Sequence, residues 1–161
     1  MAKMEDDLVT HAKKIIDVSG RPSQICLRRS ISSSYYSAWH CICAAIANKF
    51  AFSHRRQVAR IPEHKTVKTA AGKLKGHSNT WLSNACCGRI SQLCEDFICL
   101  QEERHAADYD IARNFQKQDA LIAIQRAERL CSSVTWAQSH CGDELDAFLL
   151  ECLGIKNPNR P

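Results

Sequence analysis

Ser30-Ile31-Ser32-Ser33-Ser34-Tyr35-Tyr36-Ser37-Ala38-Trp39-His40-Cys41-Ile42-Cys43-Ala44-Ala45-Ile46-Ala47-Asn48-Lys49-Phe50 decides the fold class. Its apolar residues Ile31, Tyr35, Ala38, Trp39, Ile42, Ala45, Ile46 and Phe50 recur at three and four, the spacing of one helix face. A strand would alternate at every second residue, and this stretch does not. Pro22-Ser23 opens the helix, so one long central helix is predicted from there to about Phe50.

The same period continues outward in both directions. Asp6 to Val18 carries Leu8, Ala12, Ile15 and Ile16, a short amphipathic helix that Ser19-Gly20 stops. A shorter helix is expected from about Pro62 to Lys73. A second long one runs from about Leu82 to Asp108 through Ile90, Leu93, Cys94, Phe97 and Ile98, with Gly88 as its weak point. A further helix follows from about Lys117 to Gln138. The last spans 143–153, with Asp143 as N-cap and Gly154 as its stop. Glycine and proline, six and four residues, fall at the seams between these segments. The prediction is an all-α bundle of five to six helices with two long central helices, forming one domain over 1–161.

Composition agrees with a globular chain: 45% hydrophobic and 24% charged over 161 residues. Such a length buries roughly 70% of its unfolded surface, so a core forms without staples. No apolar run reaches the ~18 residues of a membrane span, and the first seven residues lack the apolar stretch of a signal peptide. The expected location is cytoplasmic, with no membrane. Ten cysteines are then read as reduced thiols, packed as small hydrophobes on helix faces. Their pairs, Cys41-x-Cys43, Cys86-Cys87, Cys94-x4-Cys99 and His140-Cys141, include no Cys-x2-Cys, and neither a metal site nor a cofactor is predicted.

The net charge is +5, but its distribution matters more. Between His54 and His77, Arg55, Arg56, Arg60, Lys65, Lys68, Lys73 and Lys75 face Glu63 alone, a local excess of six positive charges. That cluster either contacts a phosphate backbone or is a solvated basic face. On the central helix Arg29, Ser32, Tyr36, His40 and Cys43 form a polar seam beside the apolar stripe, read as a helix or subunit interface. On the second long helix the stripe of Ile90 and Phe97 continues to Arg104, only ~40° around the axis, so Arg104 points inward or into a cleft. Its charge persists at any ordinary pH and needs a partner. Asp108, four residues on, supplies an intrahelical ion pair; a phosphate ligand is the alternative.

Two blocks carry a resemblance. Leu27-Arg28-Arg29-Ser30-Ile31-Ser32-Ser33-Ser34-Tyr35-Tyr36-Ser37-Ala38-Trp39-His40 resembles the R-A-x-x-x-A-Y-Y-A-x-F-H helix of small prokaryotic HEPN domain proteins. Glu103-Arg104-His105-Ala106-Ala107-Asp108-Tyr109-Asp110 resembles their R-x-x-A-D-Y-D signature, and Phe115-x3-Asp119-Ala120-x6-Ala127 their next helix. The resemblance covers about residues 5 to 135. It implies a helical bundle that forms a homodimer around a cleft, and a metal-independent ribonuclease acting on RNA as a toxin or defence effector. In that family an arginine holds the scissile phosphate, and a histidine after four to six residues assists proton transfer at the 2′-hydroxyl. Arg104 matches the arginine and His105 the polar residue that follows it. Tyr109, Asp110 and Ile111 occupy the three positions open to the histidine. The catalytic candidates are therefore Arg104, His105, Asp108 and Tyr109, with the seam of Arg29, Tyr36 and His40 beside them. Nucleic-acid contacts fall to Arg55, Arg56, Arg60, Lys65 and Lys68.

A phenol of ordinary pKa ~10 is a poorer base at neutral pH than an imidazole of ~6.5. His105 is turned ~100° from Arg104. The alternative function is therefore a noncatalytic HEPN module that binds a nucleotide or a protein partner, such as a nucleotidyltransferase-like antitoxin.

Overall fold

The computed structural model describes residues 4–17, 20–50, 54–75 and 84–155, apart from the side chains of Arg55, Arg56, Asn84, Ala85 and Cys87. All regular structure among them is helical: α1 (Met4–Ile16), α2 (Gln24–Phe50), α3 (Arg55–Val58), α4 (His64–Leu74), α5 (Asn84–Tyr109), α6 (Lys117–His140) and α7 (Gly142–Cys152). The all-α prediction holds, with α2 and α5 as the long helices and α6 nearly as long. The single turn α3 lies in a segment that carried no apolar period. Gly142 already belongs to α7, with Cys141 preceding it, so Asp143 sits in the first turn rather than at the cap.

α2 runs through the middle of the bundle, packed against α1, α5 and α6. Ile31, Ala38, Ile42 and Ile46 are fully buried at the predicted spacing. Small hydroxyls fill part of its remaining buried surface and bond backbone carbonyls: Ser34 donates to the Ser30 carbonyl at 2.9 Å, and Ser30 donates to that of Ala12 at 2.9 Å. Short side chains at Ser30, Ser34, Ser37 and Ala38 let neighbouring helices approach closely, and each hydroxyl finds a backbone acceptor, so burial leaves no donor unpaired.

Two side chains in the first turn and a half of α2 fix the chain after α5. Arg28 donates to the carbonyls of Ala107 (2.7 Å), Asp110 (2.8 Å) and Arg113 (2.6 Å). Gln24, one turn earlier, bonds the Phe115 backbone in both directions, at 2.8 and 2.9 Å. Asp110 closes the intervening turn by accepting the amides of Ala112 and Arg113. Buried Phe115 lies beneath both the Arg28 and the Arg113 guanidinium. Asp119 Oδ2 then accepts the Gln116 amide at 2.7 Å and starts α6. This loop is what sets the end of α5, and with it the position of Arg104.

Between α5 and α6, buried Asp96 receives a two-pronged contact from Arg129, at 2.7 and 2.5 Å. A carboxylate with no partner at this depth would be strongly destabilising. At the other end of the bundle Cys86 and Cys141 form a disulfide with a Cα separation of 5.9 Å, joining α5 to the α6–α7 junction. The expectation of uniformly reduced cysteines is corrected here. Residues 55 apart in sequence are brought together by the antiparallel pairing of α5 and α6, which spacing along the chain does not reveal. Cys43, Cys94 and Cys152 follow the packing expectation: all three are buried, and desolvation pushes the Cys43 thiol up to about 12. No helix among the described residues is long and apolar enough to cross a membrane.

Candidate functional site

The last turns of α5 present Arg104 and Asp108 toward a facing pair on α2, Ser32 and Tyr36. Both pairs are spaced by four residues, so the two helices meet through two matched polar steps. Arg104 Nε lies 2.7 Å from Asp108 Oδ2, at an angle that makes the contact ionic rather than a directed hydrogen bond. Asp108 Oδ1 accepts from Ser32 Oγ at 2.6 Å, and Arg104 Nη2 donates to the Tyr36 hydroxyl at 2.9 Å. The guanidinium carbon stands 5.6 Å from the Tyr36 ring centre and 5.5 Å from that of Tyr109. Burial works against the Arg104 charge, but the two phenols and Asp108 more than offset it and hold the group above its ordinary pKa. Arg104 is thus a fixed cation about one quarter exposed, on the wall of an open cleft of about 490 Å³ that also touches Lys68, Gln101, Glu102 and His105.

A second cleft, about 510 Å³, lies on the other side of Asp108 and Tyr109, between Arg28 and Arg29 of α2 and the loop after α5. Its rim is apolar: Ile25 and Ile111 are 72% and 92% exposed, and Tyr109 is 62% exposed.

Behind Arg104 stands a histidine that the sequence reading did not single out. α4 packs along α5 and carries His64 and Lys68 on one face, four residues apart. The buried Tyr35 hydroxyl is hydrogen-bonded to His64 Nδ1, and the imidazole stacks on Trp39 with ring centres 3.9 Å apart. Burial, and secondly the Arg104 charge, lower the His64 pKa below the usual imidazole value. Burial drives the Tyr35 hydroxyl upward, so it keeps its proton and donates it to Nδ1. Neutral His64 then carries its own proton on Nε2. A histidine that opens a helix directly after Pro62-Glu63, in a basic segment, was the available signal.

Because His64 is held neutral, its contribution to stability has a definite sign. A histidine whose folded pKa lies below the unfolded 6.5 favours folding in full above 6.5 and loses that contribution as pH falls from there toward the folded value. The melting temperature is therefore expected to drop between pH 7.5 and 5.5, and His64→Gln should flatten that slope. Parallel slopes for parent and variant, followed by circular dichroism, would exclude the assignment.

Of the predicted residues, the structure brings together Arg104, Asp108, Tyr109 and Tyr36. His105 lies against the outer side of Tyr109, ring centres 4.9 Å apart, and lines the cleft. Arg29 is exposed on the second cleft, while its neighbour Arg28 makes the backbone contacts. His40 is half-buried and has no hydrogen-bond or ring partner among the described residues. Arg60 and Lys65 are exposed on the surface, and Lys68 joins the Arg104 cleft, paired with Glu102 at 3.2 Å. The side chains of Arg55 and Arg56 lie outside the described residues. Cys86, Cys141 and Glu144 bring three potential metal ligands within 4.8 Å of one another, but the two sulfurs are committed to the disulfide. No protein-family profile, curated protein or solved structure matches the chain.

Proposed function

We propose that the chain binds RNA phosphate at Arg104 and cleaves RNA without a metal ion, as the HEPN resemblance implies. The observation that carries this reading is the Arg104 guanidinium itself, fixed between Tyr36 and Tyr109 on the wall of an open cleft that Lys68 also lines. A fixed guanidinium matches two phosphoryl oxygens and holds them while charge builds on phosphorus. Attack by the 2′-hydroxyl displaces the 5′-oxygen and leaves a 2′,3′-cyclic phosphate. His105 and Asp108 are the proton acceptors assigned on α5. Neutral His64 offers its Nε2 proton as a hydrogen-bond donor to the phosphoryl group. Tyr109 serves as a wall of the site, since its phenol is a weak base at neutral pH. Exposed Arg60 and Lys65 steer the strand by charge. The apolar rim of Ile25, Tyr109 and Ile111 is the surface on which a second copy packs, making the cleft composite.

A second reading rests on one specific feature: Asp108 already neutralises Arg104. A module of this kind binds a nucleotide or a protein partner, such as a nucleotidyltransferase-like antitoxin, and performs no chemistry.

Incubation of the purified protein with mixed RNA in excess chelator separates the two. Fragments ending in 2′,3′-cyclic phosphate are expected, from a species of twice 18.1 kDa by light scattering. Intact RNA at stoichiometric enzyme would leave the noncatalytic reading standing.

A further inference from the structure

Far from Arg104 in sequence, α1, α2 and α6 enclose a separate open cleft of about 420 Å³. Two thiols line it from facing helices: Cys41 of α2, which is buried, and Cys131 of α6, which is half-exposed. The Cys131 sulfur is within hydrogen-bond reach of Cys41, and Ser37, one helical turn before Cys41 on the same α2 face, lines the cleft beside it with its hydroxyl donated to the Glu5 carbonyl. The Cys41 contact is the largest influence and brings the Cys131 thiol below its usual pKa, against burial and the Glu5 and Asp6 charges. The arrangement is asymmetric. One sulfur is reachable and gives up its proton more readily than an ordinary thiol, and the other waits behind it, shielded from reagents yet adjacent to the first.

We propose that Cys131 is a peroxide-reactive thiolate and that Cys41 resolves it into a disulfide that ties α2 to α6. In the first step the Cys131 thiolate attacks one oxygen of hydrogen peroxide and the O–O bond breaks. Cys131 becomes a sulfenic acid, and the departing hydroxide takes up a proton to become water. In the second step the Cys41 sulfur attacks the Cys131 sulfur, the S–O bond breaks, and the hydroxyl leaves as water with the Cys41 proton. The pair loses two electrons and peroxide gains them.

Charge around the cleft selects the oxidant. Glu5 and Asp6 stand on the α1 side, while the one cation among the described residues that line the cleft, Lys13, is bound to Glu128 at 2.6 Å. The rim is therefore net negative. It admits neutral hydrogen peroxide and repels anionic glutathione disulfide.

The protein as purified, with the Cys86–Cys141 bond in place, is treated with one equivalent of hydrogen peroxide and digested without reductant. A peptide pair joined through Cys41 and Cys131 is expected, forming at least tenfold faster than any oxidation of Cys26 or Cys99, the other half-exposed free thiols among the described residues. In Cys41→Ser, and in Cys41→Ala as a second variant, Cys131 should accumulate as a sulfenic acid that dimedone traps. Glutathione disulfide at the same dose should modify Cys131 at least tenfold more slowly than peroxide does. Cys131 oxidised no faster than Cys26 or Cys99 would overturn the proposal. So would a Cys131 sulfenic acid in the parent protein that dimedone traps as readily as in the Cys41 variants, because Cys41 would then resolve nothing.

Discussion

Arg104→Ala is expected to reduce RNA cleavage by about 10²–10³-fold, the loss typical when one preorganised donor to a developing oxyanion is removed. The guanidinium is positioned by three neighbours, Tyr36, Asp108 and Tyr109, so truncation removes a fixed charge that solvent replaces poorly. Lysine at the same position restores the charge without the planar fork and should recover only a small part of the rate. Asp108→Asn should move in the opposite direction for binding: the carboxylate that competes with phosphate for Arg104 becomes neutral, and RNA is held more tightly in a filter-binding assay. Cleavage should nonetheless fall if Asp108 is one of the proton acceptors, as proposed. An alanine variant that cleaves at the parent rate would remove Arg104 from the site, whatever the protein does to RNA.

The second large effect concerns stability. Reduction of the Cys86–Cys141 disulfide should lower the unfolding free energy by about 4 kcal/mol, the loop-closure entropy of a bridge that spans 55 residues. For a chain of this size that is a fall in Tm of about 10 °C. The bridge holds the beginning of α5 to the point where α6 gives way to α7, so the loss should appear in urea titrations as a lower midpoint with a steeper slope, because the unbridged denatured chain is more expanded. Cys86→Ala should show the lowered midpoint with or without reductant. A parent protein whose midpoint ignores dithiothreitol would show that the bridge contributes nothing to the folded state.

What the sequence revealed followed from local spacing. The long helices were legible because Ile31, Ile42 and Ile46 on α2, and Ile90 and Phe97 on α5, repeat with the helical period, and that period reflects burial directly. The Arg104–Asp108 pair was legible for the same reason, since four residues on a helix is already a contact. Tyr36 was visible as a member of a polar seam, though nothing local said that Arg104 would be its partner. The remaining site residues depend on tertiary neighbours. His64 matters only because α4 packs along α5 and places the imidazole against Trp39 and Tyr35. Cys86 and Cys141 meet only when α5 and α6 lie side by side. Arg28 and Arg29 are adjacent arginines separated by ~100° of helix rotation. The seam favoured Arg29, but the carbonyls at the end of α5 lie within reach of Arg28.

The three strong hydrogen bonds from Arg28 have a thermodynamic meaning for any ligand at this end of the molecule. A helix terminus followed by a loop usually frays, and a ligand that engages it loses affinity to the ordering of backbone and side chains. Here the carbonyls of Ala107, Asp110 and Arg113 are already immobilised by a cation from another helix, so the turn that carries Arg104 and Asp108 is ordered before anything binds. Association should consequently be nearly lock-and-key, with a heat of binding that reports ligand contacts rather than local folding. Arg28→Met would convert the same event into a coupled ordering transition, weakening affinity through entropy although the mutated residue lies outside the Arg104 cleft.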